Sequence, residues 1–223
     1  MNVKIVGLAL AVSVLFALGT AGCLAESVQA ETVSPLGNKN VGKVETAIGD
    51  LVADALRSQL RKDIAFVAAS ELKAKDVPFP AGKVSSADIE GLISYPDDTL
   101  ATLELDGKTI RAALEKSVSI HPQPNLGFLQ VSGLAFTFDA KKPTGQRVTS
   151  VTVGGSPISD GTIYSVAVTN SMANGALGYW KVWDQSKITG TKPDLNVAKA
   201  IEAYLKANPK LDYGTQDRIA PAK

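Results

Sequence analysis

Few side chains in this sequence could act as an acid, a base or a metal ligand. The single histidine, His121, lies in the stretch SIHPQPN, and an imidazole can serve as a general base near neutral pH. A solvated loop histidine is the more common role for such a residue. A zinc or di-metal hydrolase needs several imidazole and carboxylate ligands that converge on the ion. The sequence therefore predicts neither a metal site nor a cofactor.

The adjacent carboxylates Asp97 and Asp98 are the other candidates for acid–base chemistry, although such a pair at a turn is more often only a solvated loop. The motifs G-x-S-x-G, G-x-x-x-x-G-K-[ST] and G-x-G-x-x-G do not occur. We therefore predict no catalytic residue, and a chain that is not an enzyme on its own.

One loop has the composition of a ligand site. Residues 169–180, TNSMANGALGYW, combine two glycines and two asparagines with two adjacent aromatic residues, directly after the alternating run TIYSVAVT. The glycines do not form a phosphate cradle, because no P-loop lysine accompanies them. The stretch is either a ligand-binding loop or a simple turn.

Composition excludes one class of partner. The chain has 223 residues, a formal net charge of +1 and no basic cluster, whereas sequence-independent nucleic-acid binding needs many phosphate contacts from Lys and Arg. We predict no nucleic-acid partner. Cys23 is the only cysteine, so the folded domain has no disulfide bond and its stability must come from burial.

The apolar patterns place helices mainly in the first half and strands in the second. Apolar residues three and four positions apart predict a helix over 44–56, and a short apolar run predicts a buried strand at 63–68. Residues 75–83 are predicted to be a connection because they contain two prolines and a glycine. A capped helix, a strand and a second amphipathic helix are predicted over 85–118.

Four short runs in the second half predict an antiparallel group of strands: FLQVSG, LAFTFD, RVTSVTVGG and TIYSVAVT. A last helix is predicted for LNVAKAIEAYLKA, before Pro209. Together these elements favour an α+β fold with a mixed sheet and packed helices.

The N-terminus has the plan of a bacterial export signal over residues 1–30, with an apolar run closed by small residues. Cleavage after Ala30 would start the mature chain at Glu31. Alternatively, Ala21-Gly22-Cys23 resembles a lipobox with Cys23 as the lipidation site, although Thr20 stands where Leu is usual. We predict an exported protein, periplasmic or membrane-anchored, with a linker at 31–42 and a single domain at 43–219. Any membrane contact is through lipid on Cys23.

Several segments together resemble a known family. ETAIGDLVADALR, DIAFV, FLQVSGLAFTFDAKKPTGQRVTSV, TIYSVAVTN with GYW, and AIEAYLKANPKLDYGTQDRI are similar, in that order, to the C-terminal domain of bacterial 5'-nucleotidases and UDP-sugar hydrolases. In that family an N-terminal calcineurin-like domain holds two metal ions and hydrolyses the phosphoester, and the C-terminal domain binds the nucleoside. The resemblance implies the binding half of such an enzyme without its metallophosphatase half.

The resemblance also implies which residues line the cleft. Family members read N-A-G-G-I-R where this chain has AASELK, so Lys73 replaces an arginine and favours an anionic group in a small ligand. The family segment P-F-G-N-T-L is here YPDDTL, which leaves Tyr95 as the available ring. In the loop at 169–180, Met172 replaces a base-stacking Phe and Leu177 replaces a substrate-binding Asp.

Asn170 and Tyr179 match the family in that loop. The candidate ligand-binding residues are therefore Lys73, Tyr95, Asn170, Met172, Leu177 and Tyr179. Three functions follow as alternatives. The chain is a non-catalytic binding module with a repurposed cleft, a partner in trans of a separate metallophosphatase chain in nucleotide hydrolysis, or an interaction protein of the envelope.

Overall fold

The computed structural model describes residues 27–222; Cys23 and most of the predicted signal peptide lie outside them. Within these residues the helices are α1 (Ala47–Leu60), α2 (Ser86–Glu90), α3 (Gly107–Ser117), α4 (Asn170–Ala173) and α5 (Val197–Ala207). The strands are β1 (Gln29–Thr32), β2 (Leu36–Asn38), β3 (Ile64–Ala68), β4 (Lys75–Phe79), β5 (Gly82–Ser85), β6 (Thr99–Asp106), β7 (Leu129–Ser132), β8 (Leu134–Phe138), β9 (Val148–Val153), β10 (Ser156–Pro157), β11 (Ile163–Thr169), β12 (Ile188–Asn196), β13 (Lys210–Leu211) and β14 (Ile219–Pro221). The predicted α+β class is confirmed.

The centre of the fold is a mixed five-stranded sheet with the order β12-β6-β11-β3-β7. β3 runs parallel to β11, and the other neighbouring pairs are antiparallel. All five residues of β3 are buried, as expected for a short, continuously apolar run at the middle of a sheet. The predicted buried strand at 63–68 is thus confirmed.

Helix α1 packs against this sheet through the apolar stripe that its sequence predicts. It begins after Thr46, whose hydroxyl oxygen accepts a hydrogen bond from the Gly49 N–H at 3.1 Å, a standard N-cap. Ile48, Leu51 and Leu56 are fully buried. Val44, which the pattern included in the stripe, precedes the helix and is 45% exposed.

Residues 31–42 are not a linker, so that predicted boundary is wrong. β1 pairs with β5 and with β13, and Leu36 and Asn38 in β2 are fully buried. The Asn38 amide donates to the Lys73 carbonyl at 2.8 Å and its carbonyl accepts from the Thr46 hydroxyl at 2.8 Å. The polar, turn-rich segment at 31–42 is therefore part of the folded domain, because its buried Asn38 side chain has hydrogen-bond partners within the domain.

The prediction of a connection at 75–83 is also wrong. Strands β4 and β5 lie there. β4 pairs with β2 in a two-stranded sheet, and β5 pairs with β1 at the edge of a three-stranded sheet. Prolines are tolerated in strands at such edges, where a missing N–H costs no ladder bond.

The strands of the second half divide between two sheets instead of forming one antiparallel group. β7 and β11 belong to the central sheet, whereas β8 and β9 lie in a four-stranded sheet with the order β10-β9-β8-β14. Gly133 separates β7 from β8 at a φ of 77°. A Cβ there would lie 1.9 Å from the Asp63 carbonyl oxygen, so only glycine fits this turn.

A buried polar cluster ties the C-terminal segment to α1. Arg218 forms a bidentate ion pair with Asp54, with Nη1–Oδ1 at 2.8 Å and Nη2–Oδ2 at 2.9 Å. The Tyr213 hydroxyl donates to the same carboxylate at 2.9 Å. Burial, opposed by Arg218 and reinforced by the carboxyl group of Glu45, raises the pKa of the neighbouring Asp50 to about 9.

Candidate ligand-binding cleft

A cavity of about 370 Å³ opens where four segments meet: the turn after β3, the segment before β6, the segment before β7 and the loop after β11. This volume lies within the usual range for small-molecule sites. Its apolar wall is formed by Tyr95, Leu126, Met172, Ala176 and Leu177. Its polar wall is formed by Ser70, Glu71, Asp98 and Ser171.

Glu71 is the one deeply buried charged side chain in this wall. After β3 the chain makes a 3₁₀ turn over Ala69–Glu71, which directs the Glu71 carboxyl group back towards the strand. Its Oε2 accepts from the Ala68 N–H at 2.6 Å, and its Oε1 accepts from the Thr169 hydroxyl at 2.6 Å. Glu71 thus joins the end of β3 to the end of β11.

Burial raises the pKa of Glu71 to about 7, although the hydrogen bonds from Thr169 and Ala68 oppose the shift and the Asp98 carboxylate adds to it. Loss of hydration disfavours the charged form of a buried carboxyl group. Near neutral pH the protonated and ionised forms of this side chain are therefore both populated. Few carboxyl groups outside functional sites or buried ion pairs are tuned in this way.

The loop at 169–180 is held rigidly at its two ends. The Thr169 hydroxyl oxygen accepts from the Met172 N–H at 3.2 Å and so caps α4. Tyr179 is fully buried, donates its hydroxyl to the Gly127 carbonyl at 2.7 Å and stacks on Trp183 with ring centroids 4.8 Å apart. Gly175 has a φ of 85°, and a Cβ there would lie 2.7 Å from the Trp180 nitrogen.

The structure brings three of the six predicted ligand residues to the cavity. Met172, Leu177 and Tyr95 all line it, although Met172 is only 1% exposed while Tyr95 is 62% exposed at the mouth. Leu177 has a φ of 57°, an uncommon conformation for a non-glycine residue with a bulky side chain. The loop geometry holds this leucine against the cavity.

The other three predicted ligand residues do not line the cavity. Lys73 is exposed, and its Nζ donates to the Gly91 carbonyl at 3.2 Å. The Asn170 side-chain oxygen accepts from the Asn174 side chain at 3.3 Å. Tyr179 is fully buried and stabilises the loop through its contacts with Gly127 and Trp183. An anionic ligand group cannot therefore be assigned to Lys73, because the two charged residues of the wall, Glu71 and Asp98, are both acidic.

The sequence reasoning missed Glu71 as a cleft residue. One feature of the sequence could have indicated it: Glu71 is a charged residue at a position where the family has glycine, three residues after a buried strand. Asp98, considered with Asp97 either as an acid–base pair or as a solvated turn, lines the cavity, and its carboxylate accepts from the Ser171 N–H at 3.3 Å. Asp97 instead accepts from the Asn196 side chain at 3.4 Å.

His121 has a packing role away from this cavity. Its ring lies edge-on to Phe138, with centroids 4.9 Å apart, and burial together with Arg147 and Lys43 lowers its pKa. Within residues 27–222, no three His, Cys, Asp or Glu side chains converge as they would around a metal ion. No helix in that part of the chain is long and apolar enough to cross a membrane.

A sequence profile for the family described as 5'-nucleotidase, C-terminal domain matches residues 25–185. The chain belongs to this family. The resemblance identified from the sequence segments is thereby confirmed.

Known structures agree with this assignment. The 5'-nucleotidase precursor of Thermus thermophilus is 29% identical, with a TM-score of 0.78 over 90% of this chain and 40% of its own. The NAD nucleotidase of Haemophilus influenzae shares the fold at 18% identity, with a TM-score of 0.74 over 89% of this chain and 38% of its own. A 5'-nucleotidase of Diplobatis ommata is 35% identical over 89 residues, 36% of this chain and 15% of its own length. The chain thus spans less than half of each relative.

Proposed function

We propose that this 5'-nucleotidase C-terminal domain is an exported, non-catalytic binding module whose cleft is repurposed for a small molecule other than a nucleotide. The observation that carries the proposal is the cavity of about 370 Å³, which is kept while the side chains that would grip a nucleotide are replaced. This cavity combines an open, mainly apolar wall with a buried carboxyl group, the composition of many small-molecule sites.

Three changes argue against nucleotide binding. Met172 stands where the family has a base-stacking phenylalanine, and the loss of stacking on an aromatic ring costs about 1 to 3 kcal/mol per base. The charged residues of the wall are Glu71 and Asp98, which repel a phosphate group. Together with the loss of the Asp at position 177, these changes are expected to weaken nucleotide binding by on the order of a thousandfold.

A thermal-shift and ligand-observed NMR panel tests the binding role. The panel contains nucleosides, AMP, UDP-glucose, aromatic amines, aromatic alcohols and small carboxylic acids at millimolar concentration. We expect at least one uncharged or cationic compound to bind and the two nucleotides to show no binding. If no compound in the panel binds, the small-molecule role is wrong and an envelope interaction protein becomes the better description.

Two tryptophan variants show whether binding occurs in the cleft. Ser171 is exposed and lines the cavity, so Ser171→Trp fills it without disturbing the core. Asn174 is exposed at the end of the same short helix and does not line the cavity. We expect Ser171→Trp to abolish binding and Asn174→Trp to retain it. Incubation of the wild type with AMP or bis-p-nitrophenyl phosphate and divalent metal is expected to give no turnover.

A separate metallophosphatase chain is a second candidate partner. Tyr95 and Leu126 are 62% and 69% exposed at the mouth of the cavity, and exposed apolar side chains that adjoin a cleft are a common feature of protein contact sites. In nucleotidases of this family the metal-bearing half completes the site. Co-purification of a phosphatase that is lost on Leu126→Glu would support this partner, and purification without one would remove it.

We also propose that export ends with lipidation at Cys23 and not with cleavage after Ala30. The supporting observation is β1, in which Gln29 and Ala30 pair with Ser85 and Val84 of β5. Cleavage after Ala30 would remove both residues and also Val28, whose carbonyl accepts from the Ser86 N–H at 2.8 Å.

The mature protein is therefore expected to begin at a lipid-modified Cys23, to partition into detergent and to fractionate with membranes. Intact-mass measurement of protein from the native host, with Cys23→Ser as the comparison, checks this. The variant should lose the lipid mass and the membrane fraction together. A mature chain that begins at Glu31 would contradict the proposal.

A further inference from the structure

The charged side chains of the cleft wall share one sign. Within this wall, Glu71 and Asp98 are the charged residues, and both are acidic. Their proximity is unfavourable in the empty protein, since the Asp98 carboxylate makes ionisation of Glu71 more difficult. A positive charge placed beside both groups would remove that repulsion.

We infer that the cleft binds a small organic cation, a compound with an apolar or aromatic body and a protonated amine that is held by Glu71 and Asp98. This inference rests on the proposed small-molecule role and names its ligand class. The apolar wall of Leu126, Met172 and Leu177 receives the body of the ligand. The exposed ring of Tyr95 at the mouth offers a face to which a cation is also attracted.

Glu71 has acceptor capacity left for such a ligand. Each carboxylate oxygen can accept about two hydrogen bonds, and each accepts one from the protein: Oε1 from Thr169 and Oε2 from Ala68. An ammonium group supplies three donors and no acceptor. The protein contacts fix the orientation of the carboxylate, so that little rotamer entropy is lost when the amine binds.

An inorganic cation suits the site less well. Calcium takes about six to eight oxygen ligands, and the described part of the chain contains no cluster of three or more acidic or imidazole side chains arranged for a metal. Most of the wall is hydrocarbon, which cannot replace the water lost from a hydrated ion. An organic cation places its ammonium group against the polar wall and its apolar body against the apolar wall.

Binding of a cation requires the ionised form of Glu71, so affinity is expected to depend on pH. The pKa of Glu71 is about 7 in the free protein, and the amine remains protonated well above that. The groups that face Glu71 are Asp98, Thr169 and the phenol of Tyr179, whose pKa is raised by burial and by Glu71 itself. The neighbouring side chains of α1 and α5 are Val52, Leu56 and Val197, which carry no charge.

The test compares three probes of similar shape: 2-phenylethylamine, 2-phenylethanol and 3-phenylpropionate. Their affinities are measured by NMR titration in phosphate buffer with EDTA, at about pH 6 and about pH 8. We expect the amine to bind about tenfold or more tighter than the alcohol at the higher pH, since a hydrogen bond to a charged group adds roughly that factor. The amine should also gain roughly tenfold between the two pH values, as Glu71 ionises.

Glu71→Gln keeps the size of the side chain and one acceptor oxygen, replaces the other oxygen with an amide donor, and removes the charge. We expect this variant to lose the preference for the amine and the pH dependence. Asp97→Asn removes one negative charge next to the cleft, at a residue that does not line it, and should retain both. The folded state of each variant is verified by its NMR spectrum.

The outcomes separate the two proposals. Tighter binding of the alcohol or the propionate, an affinity for the amine that falls as pH rises, or an unchanged preference in Glu71→Gln would overturn the cation inference and leave the binding role standing. Failure of all three probes, together with failure of the wider panel, would overturn the binding role itself.

Discussion

Replacing Arg218 with methionine is expected to lower the free energy of unfolding by about 3 to 5 kcal/mol, the usual cost of removing one partner from a buried ion pair. The Arg218 side chain is 15% exposed, and its partners Asp54 and Asp50 are 16% and 2% exposed. Methionine is close to arginine in length but carries no charge. The variant leaves the Asp54 carboxylate without its cation and removes the contact between Arg218 and Asp50, so it weakens the attachment of the C-terminal segment to α1.

Urea denaturation of the wild type and the variant measures this change. Arg111→Met is the matched control, because Arg111 pairs with Asp160 at the surface, where the two side chains are 37% and 66% exposed. Exposed pairs contribute about 0 to 1 kcal/mol. Equal losses in the two variants would contradict a structural role for the buried cluster.

The carboxyl group of Glu71 is expected to make the domain less stable as pH rises. Its pKa is raised from 4.5 to about 7 in the folded state, so between these values the folded protein holds a proton that the unfolded chain has lost. Stability falls with pH wherever the unfolded state binds fewer protons. The contribution of this group is therefore fully present below about pH 4.5 and is lost as pH rises through about 7.

Glu71→Gln removes this loss, because glutamine resembles the protonated acid and has no proton to release. Relative to the wild type, the unfolding free energy of the variant should rise by roughly 2 to 3 kcal/mol between about pH 5 and about pH 8. Asp50 and other titrating groups contribute equally to both proteins and cancel in the difference. Denaturant midpoints across that range measure it.

Glu104→Gln serves as the control for this pH dependence, because Glu104 is exposed in β6. That variant should follow the wild type at every pH. A Glu71→Gln difference that stays constant with pH would show that the carboxyl group is ionised in the folded protein throughout, and would also weaken the expected pH dependence of ligand binding.

Elements whose signal is local were predicted correctly from the sequence. The apolar stripe of α1 and the continuous apolar run of β3 lie within single stretches of chain, as does the capping box at Ser85 and Asp88. β1 and β4 were missed because they are stabilised by remote partners: Glu31 in β1 pairs with Lys210 in β13. No window of sequence contains both halves of such a pairing.

For the cleft, too, some residues could be predicted from the sequence and others could not. The sequence, through its resemblance to the family, indicated that Tyr95, Met172 and Leu177 belong to the segments that grip a ligand, and the structure brings these three to one cavity. It also suggested Lys73 and a preference for an anionic group. Lys73 and Glu71 are two residues apart, yet the lysine is exposed while the glutamate is buried beside the cavity.

The sequence by itself determined the family and the α+β class, because both follow from residue types in local order. Only the tertiary structure decided the charge of the cleft. The orientation of Glu71 depends on a hydrogen bond from Thr169, 98 residues further along the chain, and its raised pKa depends on burial by segments from both halves of the fold. Neither is a property of any single stretch, because the packing that buries this carboxyl group exists only once β3 and β11 lie side by side.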